Sequence, residues 1–122
     1  MRAEVFQQWR DALRDLTRRP TAVCKVGGLG MPFWVFGFDA RTDAVGYLEL
    51  ATVWKPYTET AIECFGADRC MMESNFPLDG RWCGRTPVEC AQARRPGLSA
   101  NQKAALFQET AAPIDRIELP AT

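Results

Sequence analysis

The chain has 122 residues, with 15 Lys and Arg against 15 Asp and Glu, so its formal net charge is zero. That balance argues against a nucleic acid or an anionic membrane surface as partner, because both select a basic face. The 47% hydrophobic and 25% charged fractions are those of a globular domain or a piece of one, and no apolar run approaches the roughly 18 residues of a membrane span.

The sequence holds no histidine, which removes Ser-His-Asp and Cys-His pairs and imidazole metal cages from this chain's own chemistry. The five cysteines, Cys24, Cys64, Cys70, Cys83 and Cys90, form no CxxC, and the amino end shows no secretory apolar core. Their spacings are too wide for a zinc ribbon. The expectation is reduced, buried or incidental thiols in a cytoplasmic protein.

Residues 2–18 read as an amphipathic helix: Val5, Phe6, Trp9, Ala12, Leu13 and Leu16 recur at three- and four-residue steps, and Pro20 closes the segment. Residues 21–26, bounded by Pro20 and Gly27-Gly28, read as a short strand whose near-continuous apolarity suits a sheet covered on both faces. The connection over 27–43 carries Met31, Phe33, Trp34, Phe36 and Phe38, which is too apolar for a solvated linker. It reads either as an aromatic plug beneath neighbouring helices or as a pocket wall.

From Val45 to Phe65 the helical period returns. Pro56 predicts a break, with one helix ending near Trp54 and another starting with Pro56 in its first turn. Gly66 suits the C-cap, and residues 69–74 read as a second buried strand ending at Asn75-Phe76-Pro77. Residues 79–98 show little periodicity. Ser99-Ala100-Asn101-Gln102 is a capping-box pattern that opens a helix over about 100–111, followed by a loosely held tail after Pro113. The alternation predicts an α/β fold with two adjacent parallel strands joined by a right-handed helical crossover.

Two stretches carry a family resemblance. Val23-Cys24-Lys25-Val26-Gly27-Gly28-Leu29-Gly30-Met31 resembles the seventh barrel strand and following loop of the amidohydrolase-related (amidohydrolase 2) family. Phe65-Gly66-Ala67-Asp68-Arg69-Cys70-Met71-Met72-Glu73-Ser74-Asn75-Phe76-Pro77 resembles the family's approach to strand eight, a Phe-Gly-x-x-Arg run leading into Ser-Asp/Asn-x-Pro. The resemblance covers residues 5–78 well and 99–111 loosely, with 79–98 irregular between them. It implies a single partial domain over 1–122, comprising about the last two βα units of a (β/α)8 TIM barrel. A whole barrel takes about 250 residues.

By the same resemblance the activity is that of a hydrolase of small carboxylate or lactone substrates, inactive as an isolated fragment. The alternative is a non-catalytic piece that acts by association with the missing barrel half or with itself. Divalent metal of the zinc type belongs to the family's full-length barrel, and the resemblance assigns no metal ligand to this chain. The strand-eight aspartate, which binds metal or takes a proton from water, falls at Asn75. An amide cannot ionise, so Asn75 either orients substrate or water by hydrogen bonds or only shapes the turn before Pro77. Lys25, at the carboxyl end of the first strand, either binds a substrate carboxylate or emerges to solvent, and a Lys25–Glu73 pair across adjacent strands is expected. Met71 and Met72 read as core packing.

Overall fold

In the computed structural model, which describes residues 3–29, 36–37, 40–43, 45–73 and 98–121, without the side chain of Tyr47, the first amphipathic segment forms helix α1 (Ala3–Thr17). Phe6, Trp9 and Leu13 supply its half-buried stripe. A tight turn leads into strand β1 (Cys24–Val26), and the chain returns through helix α2 (Tyr47–Phe65) and a single 3-10 turn (Ala67–Arg69) to strand β2 (Cys70–Met72). The two strands are parallel, with Cys24 opposite Cys70, Lys25 opposite Met71 and Val26 opposite Met72. Both strands are shorter than the apolar runs that predict them, but their pairing and the helix between them match the expected βαβ order.

Pro56 does not divide the second helical segment. Helix α2 runs unbroken through it, which corrects the two-helix expectation. Position 56 lies on the exposed side of the helix, where water can serve the backbone in place of the missing N–H. Meanwhile Leu50, Trp54, Tyr57, Ala61 and Phe65 are all buried along the opposite side and hold both halves to the core. The proline still lacks a ladder hydrogen bond, so Pro56→Ala is expected to stabilise the chain by about 1–3 kcal/mol, read as a higher urea midpoint at unchanged slope. A lower midpoint would mean that a bend at Pro56 is needed for packing.

The capping box at Ser99 forms as predicted. The Ser99 hydroxyl accepts from the Gln102 backbone N–H at 3.1 Å, and the Gln102 side-chain oxygen accepts from the Ser99 N–H at 2.9 Å. It opens α3 (Ala100–Ala104), which widens into a π turn (Ala105–Glu109) and continues as α4 (Ala111–Asp115). The helical path therefore extends past Pro113, beyond the expected end near Ala111. The Thr110 N–H bonds back to Ala105, which resets the ladder so that Pro113 falls in the first turn of α4, where a missing N–H is tolerated. Arg116, at φ 56°, ends the helix in the left-handed region. Residues 117–121 beyond it are exposed.

Two apolar clusters make up the core of the described residues, and the second contains the strands. One joins Leu29, Val45, Leu50, Trp54 and Tyr57 with Phe6, Trp9, Phe36 and Val53 around it. The other joins Val26, Ala61, Phe65, Cys70 and Leu106, flanked by Leu13, Cys24, Met72 and Phe107. Tyr57 is the centre of an aromatic group: Phe6 and Phe36 meet it edge-on at 5.2 and 5.5 Å, and Trp9 lies 5.4 Å away. For Phe36 the plug reading of the 27–43 connection is thus the one realised; Phe33, Trp34 and Phe38 lie outside the described residues. Met71 is buried and Met72 packs against the second cluster, as expected of core methionines. No helix among the described residues is long and apolar enough to cross a membrane.

Candidate functional site

The carboxyl ends of β1 and β2 lie side by side because the strands are parallel and in register. Side chains alternate along a strand. Cys24 and Val26 therefore face the helices together with Cys70 and Met72, as their shared cluster records. Lys25 emerges on the opposite face, with Met71 as its partner, and is exposed. Beyond the paired residues the Glu73 N–H donates to the Val26 carbonyl at 3.4 Å, so Glu73 lies level with Gly27.

That placement accounts for Gly27. A Cβ there would run into Glu73 Cγ and lie 2.8 Å from its Oε1, so a side chain at position 27 would force the half-buried glutamate out of this rotamer. It also separates Glu73 from Lys25. The two share a face but are offset by one step of the strand repeat, and among the described residues no ion pair joins them, which corrects the expected pairing. Asn75 lies outside the described residues, as do Cys83 and Cys90.

The Phe-Gly-x-x-Arg run is explained by Arg69, to which the sequence reading assigned no role. Phe65 ends α2; Gly66, at φ 83°, reverses the chain with its N–H on the Ile62 carbonyl at 2.8 Å. The 3-10 turn then aims the Arg69 side chain back at the end of α1. Its guanidinium donates to the carbonyl of Thr17 at 3.2 Å, of Arg19 at 2.7 Å, and of Ala22 at 3.0 and 2.8 Å through two nitrogens. Its Cζ lies 5.3 Å from the centroid of the Phe65 ring. The planar fork thus caps the carboxyl end of α1 and fixes the entry to β1 at once.

A cavity of about 190 Å³ lies between α1, α2 and β1, lined by Trp9, Leu13, Cys24, Val26, Tyr57 and Ala61 among others. Burial pushes the Tyr57 phenol up. The contact with the facing Cys70 thiol draws Cys24 below the ordinary thiol range, against the opposing effects of burial and of Glu73. Cys70 itself is pushed strongly up by that contact and by burial. Among the described residues no three His, Cys, Asp or Glu side chains converge as a metal site, and the chain has no histidine. The described residues therefore do not fit a zinc centre.

Helix, strand, helix, parallel strand and helix, with one helix-covered face and the strand ends aligned, define a βαβ-built chain. Residues 2–114 match the amidohydrolase family model, and the chain belongs to that family. It is similar to an uncharacterized protein, y4mH, of Sinorhizobium fredii (strain NBRC 101917 / NGR234), at 33% identity over 113 residues. That match covers 92% of this chain and 34% of the relative, so the chain spans about a third of the relative's length. No solved structure matches the chain.

Proposed function

We propose that this chain forms the last two βα units of a (β/α)8 barrel hydrolase acting on small carboxylate or lactone substrates, with β1 and β2 as strands seven and eight. The observation that carries this reading is the family match over residues 2–114 around a helix-covered parallel strand pair. In such barrels the helices lie outside and the active site forms at the carboxyl ends of the strands. The face of β1 opposite α2 is then the lumen face, and Lys25 stands on it.

An ammonium at that position binds a substrate carboxylate and orients the scissile group. Asn75, at the end of strand eight, holds substrate or water through its amide without taking a proton. Histidine ligands and metal come from the rest of the barrel, since the chain has no histidine and its described residues gather no metal site. In the completed barrel, Lys25→Gln is expected to raise KM by about 10–100-fold for a carboxylate substrate with little change in kcat, the loss of a charged contact made equally in ground and transition states. An unchanged KM removes Lys25 from substrate binding. No hydrolysis of any lactone, amide or carboxylate by the completed barrel removes the hydrolase reading.

The alternative, a non-catalytic piece acting by association with the missing half or with itself, is favoured by one observation. Among the described residues each strand has a single strand neighbour, and unpaired strand edges invite pairing.

A further inference from the structure

Cys24 and Cys70 are directly opposed on adjacent parallel strands, so their side chains leave the sheet on the same face. Opposed residues of neighbouring strands stand about 4.8 Å apart, within the roughly 4.4–6.8 Å separation of Cα atoms that a disulfide spans. The two side chains project together toward the helix-covered core. Their surroundings differ. Cys70 is fully buried and directs its S–H toward the Ala61 carbonyl at 3.6 Å. Cys24 is half-buried and lines the cavity bounded by Trp9, Leu13 and Tyr57.

We propose that Cys24 and Cys70 are a redox modification site, at which a small hydroperoxide oxidises the two thiols to a cross-strand disulfide, with Cys24 attacking first and Cys70 resolving. The order follows from access and from the proton. A hydroperoxide is little larger than water and reaches Cys24 through the cavity, whereas Cys70 is enclosed. The Cys70 S–H is engaged by the Ala61 carbonyl, which holds Cys70 as the thiol and leaves Cys24 as the one to ionise to the thiolate, which is the nucleophilic form.

The thiolate sulfur of Cys24 attacks the distal oxygen of hydrogen peroxide and the O–O bond breaks. The departing hydroxide takes up the proton that Cys24 released and leaves as water, and Cys24 becomes a sulfenic acid. The Cys70 sulfur then attacks Cys24, the S–O bond breaks, and the Cys70 proton leaves with the hydroxyl as a second water. In sum, two thiols lose two hydrogens to one peroxide, giving one disulfide and two waters. The product ties β1 to β2 across the crossover through α2.

The test is stoichiometric hydrogen peroxide on the full chain, followed by denaturation, thiol titration and non-reducing peptide mapping. Titratable thiols are expected to fall by two from the initial five. A linked peptide pair joining residues 24 and 70, lighter by two hydrogens, should appear and be reversed by a dithiol reductant. In Cys70→Ser a sulfenic acid should persist at Cys24, trappable by a carbon nucleophile such as dimedone; in Cys24→Ser the remaining thiols should survive the same treatment. All five thiols surviving in the parent chain would overturn the proposal, as would linkage through Cys64, Cys83 or Cys90 instead, or oxidation of Cys70 at an unchanged rate in Cys24→Ser.

Discussion

Arg69→Ala is expected to destabilise the chain by about 2–4 kcal/mol. The guanidinium makes four hydrogen bonds to three carbonyls, of which that of Arg19 also accepts from the Ala22 N–H at 3.1 Å. Hydrogen bonds to a charged group contribute about 1.5–3 kcal/mol each when measured singly, but bonds that share one side chain do not add. Part of the group also faces water, which lowers the total further. At this chain length the loss corresponds to a fall of roughly 10–15 °C in Tm. Arg69→Lys separates the fork from the charge, because one ammonium cannot reach the carbonyls of Thr17, Arg19 and Ala22 together. It is expected to recover less than half of the loss. Full recovery by lysine would show that charge near the end of α1, through its dipole, is the whole effect.

Local patterns were legible in the sequence wherever a segment's neighbours are its own residues. Helix α1 follows the spacing of Phe6, Trp9 and Leu13, and the Ser99 cap forms because hydroxyl and amide partner each other three residues apart. Pro56 misled because the rule it invokes is local while the outcome is tertiary: buried side chains on both sides of it outweigh one absent hydrogen bond. Pro113 misled for a related reason, since the π turn ahead of it shifts the helical register. Long-range geometry was hidden. Nothing local says that Arg69 reaches carbonyls some fifty residues earlier in the chain, or that Cys24 and Cys70 share a register. Gly27 was legible as the end of the first strand and as part of a family pattern, but the glutamate side chain that fills the space beside it was not.

The isolated chain is expected to associate reversibly with itself, and to exchange that contact for the missing barrel half when it is supplied. Helix α1 buries one stripe against α2 but carries a second apolar flank. Val5, Ala12 and Leu16, spaced by seven and four residues, lie along one line of the helix and all are exposed, Val5 and Leu16 by 46% and 42%. Val23, next to β1, is 40% exposed. In a continuous barrel the preceding helix and strand would cover that flank and that edge. Covering the exposed part of three such side chains contributes about 1 kcal/mol each, roughly 3 kcal/mol in all, before any hydrogen bonds along the strand edge. Because about 1.4 kcal/mol is tenfold in affinity, charging the flank with Val5→Glu and Leu16→Lys should weaken association by on the order of 100-fold. Neither residue is buried, so thermal unfolding at low concentration should change little. Sedimentation velocity across a concentration series reads the self-association, and mixing with a chain carrying the first six barrel strands should yield a one-to-one species at its expense. A chain that stays monomeric at high concentration and ignores the added half would show that the flank and the edge are content with water, and that the two strands and their helices stand as a domain on their own.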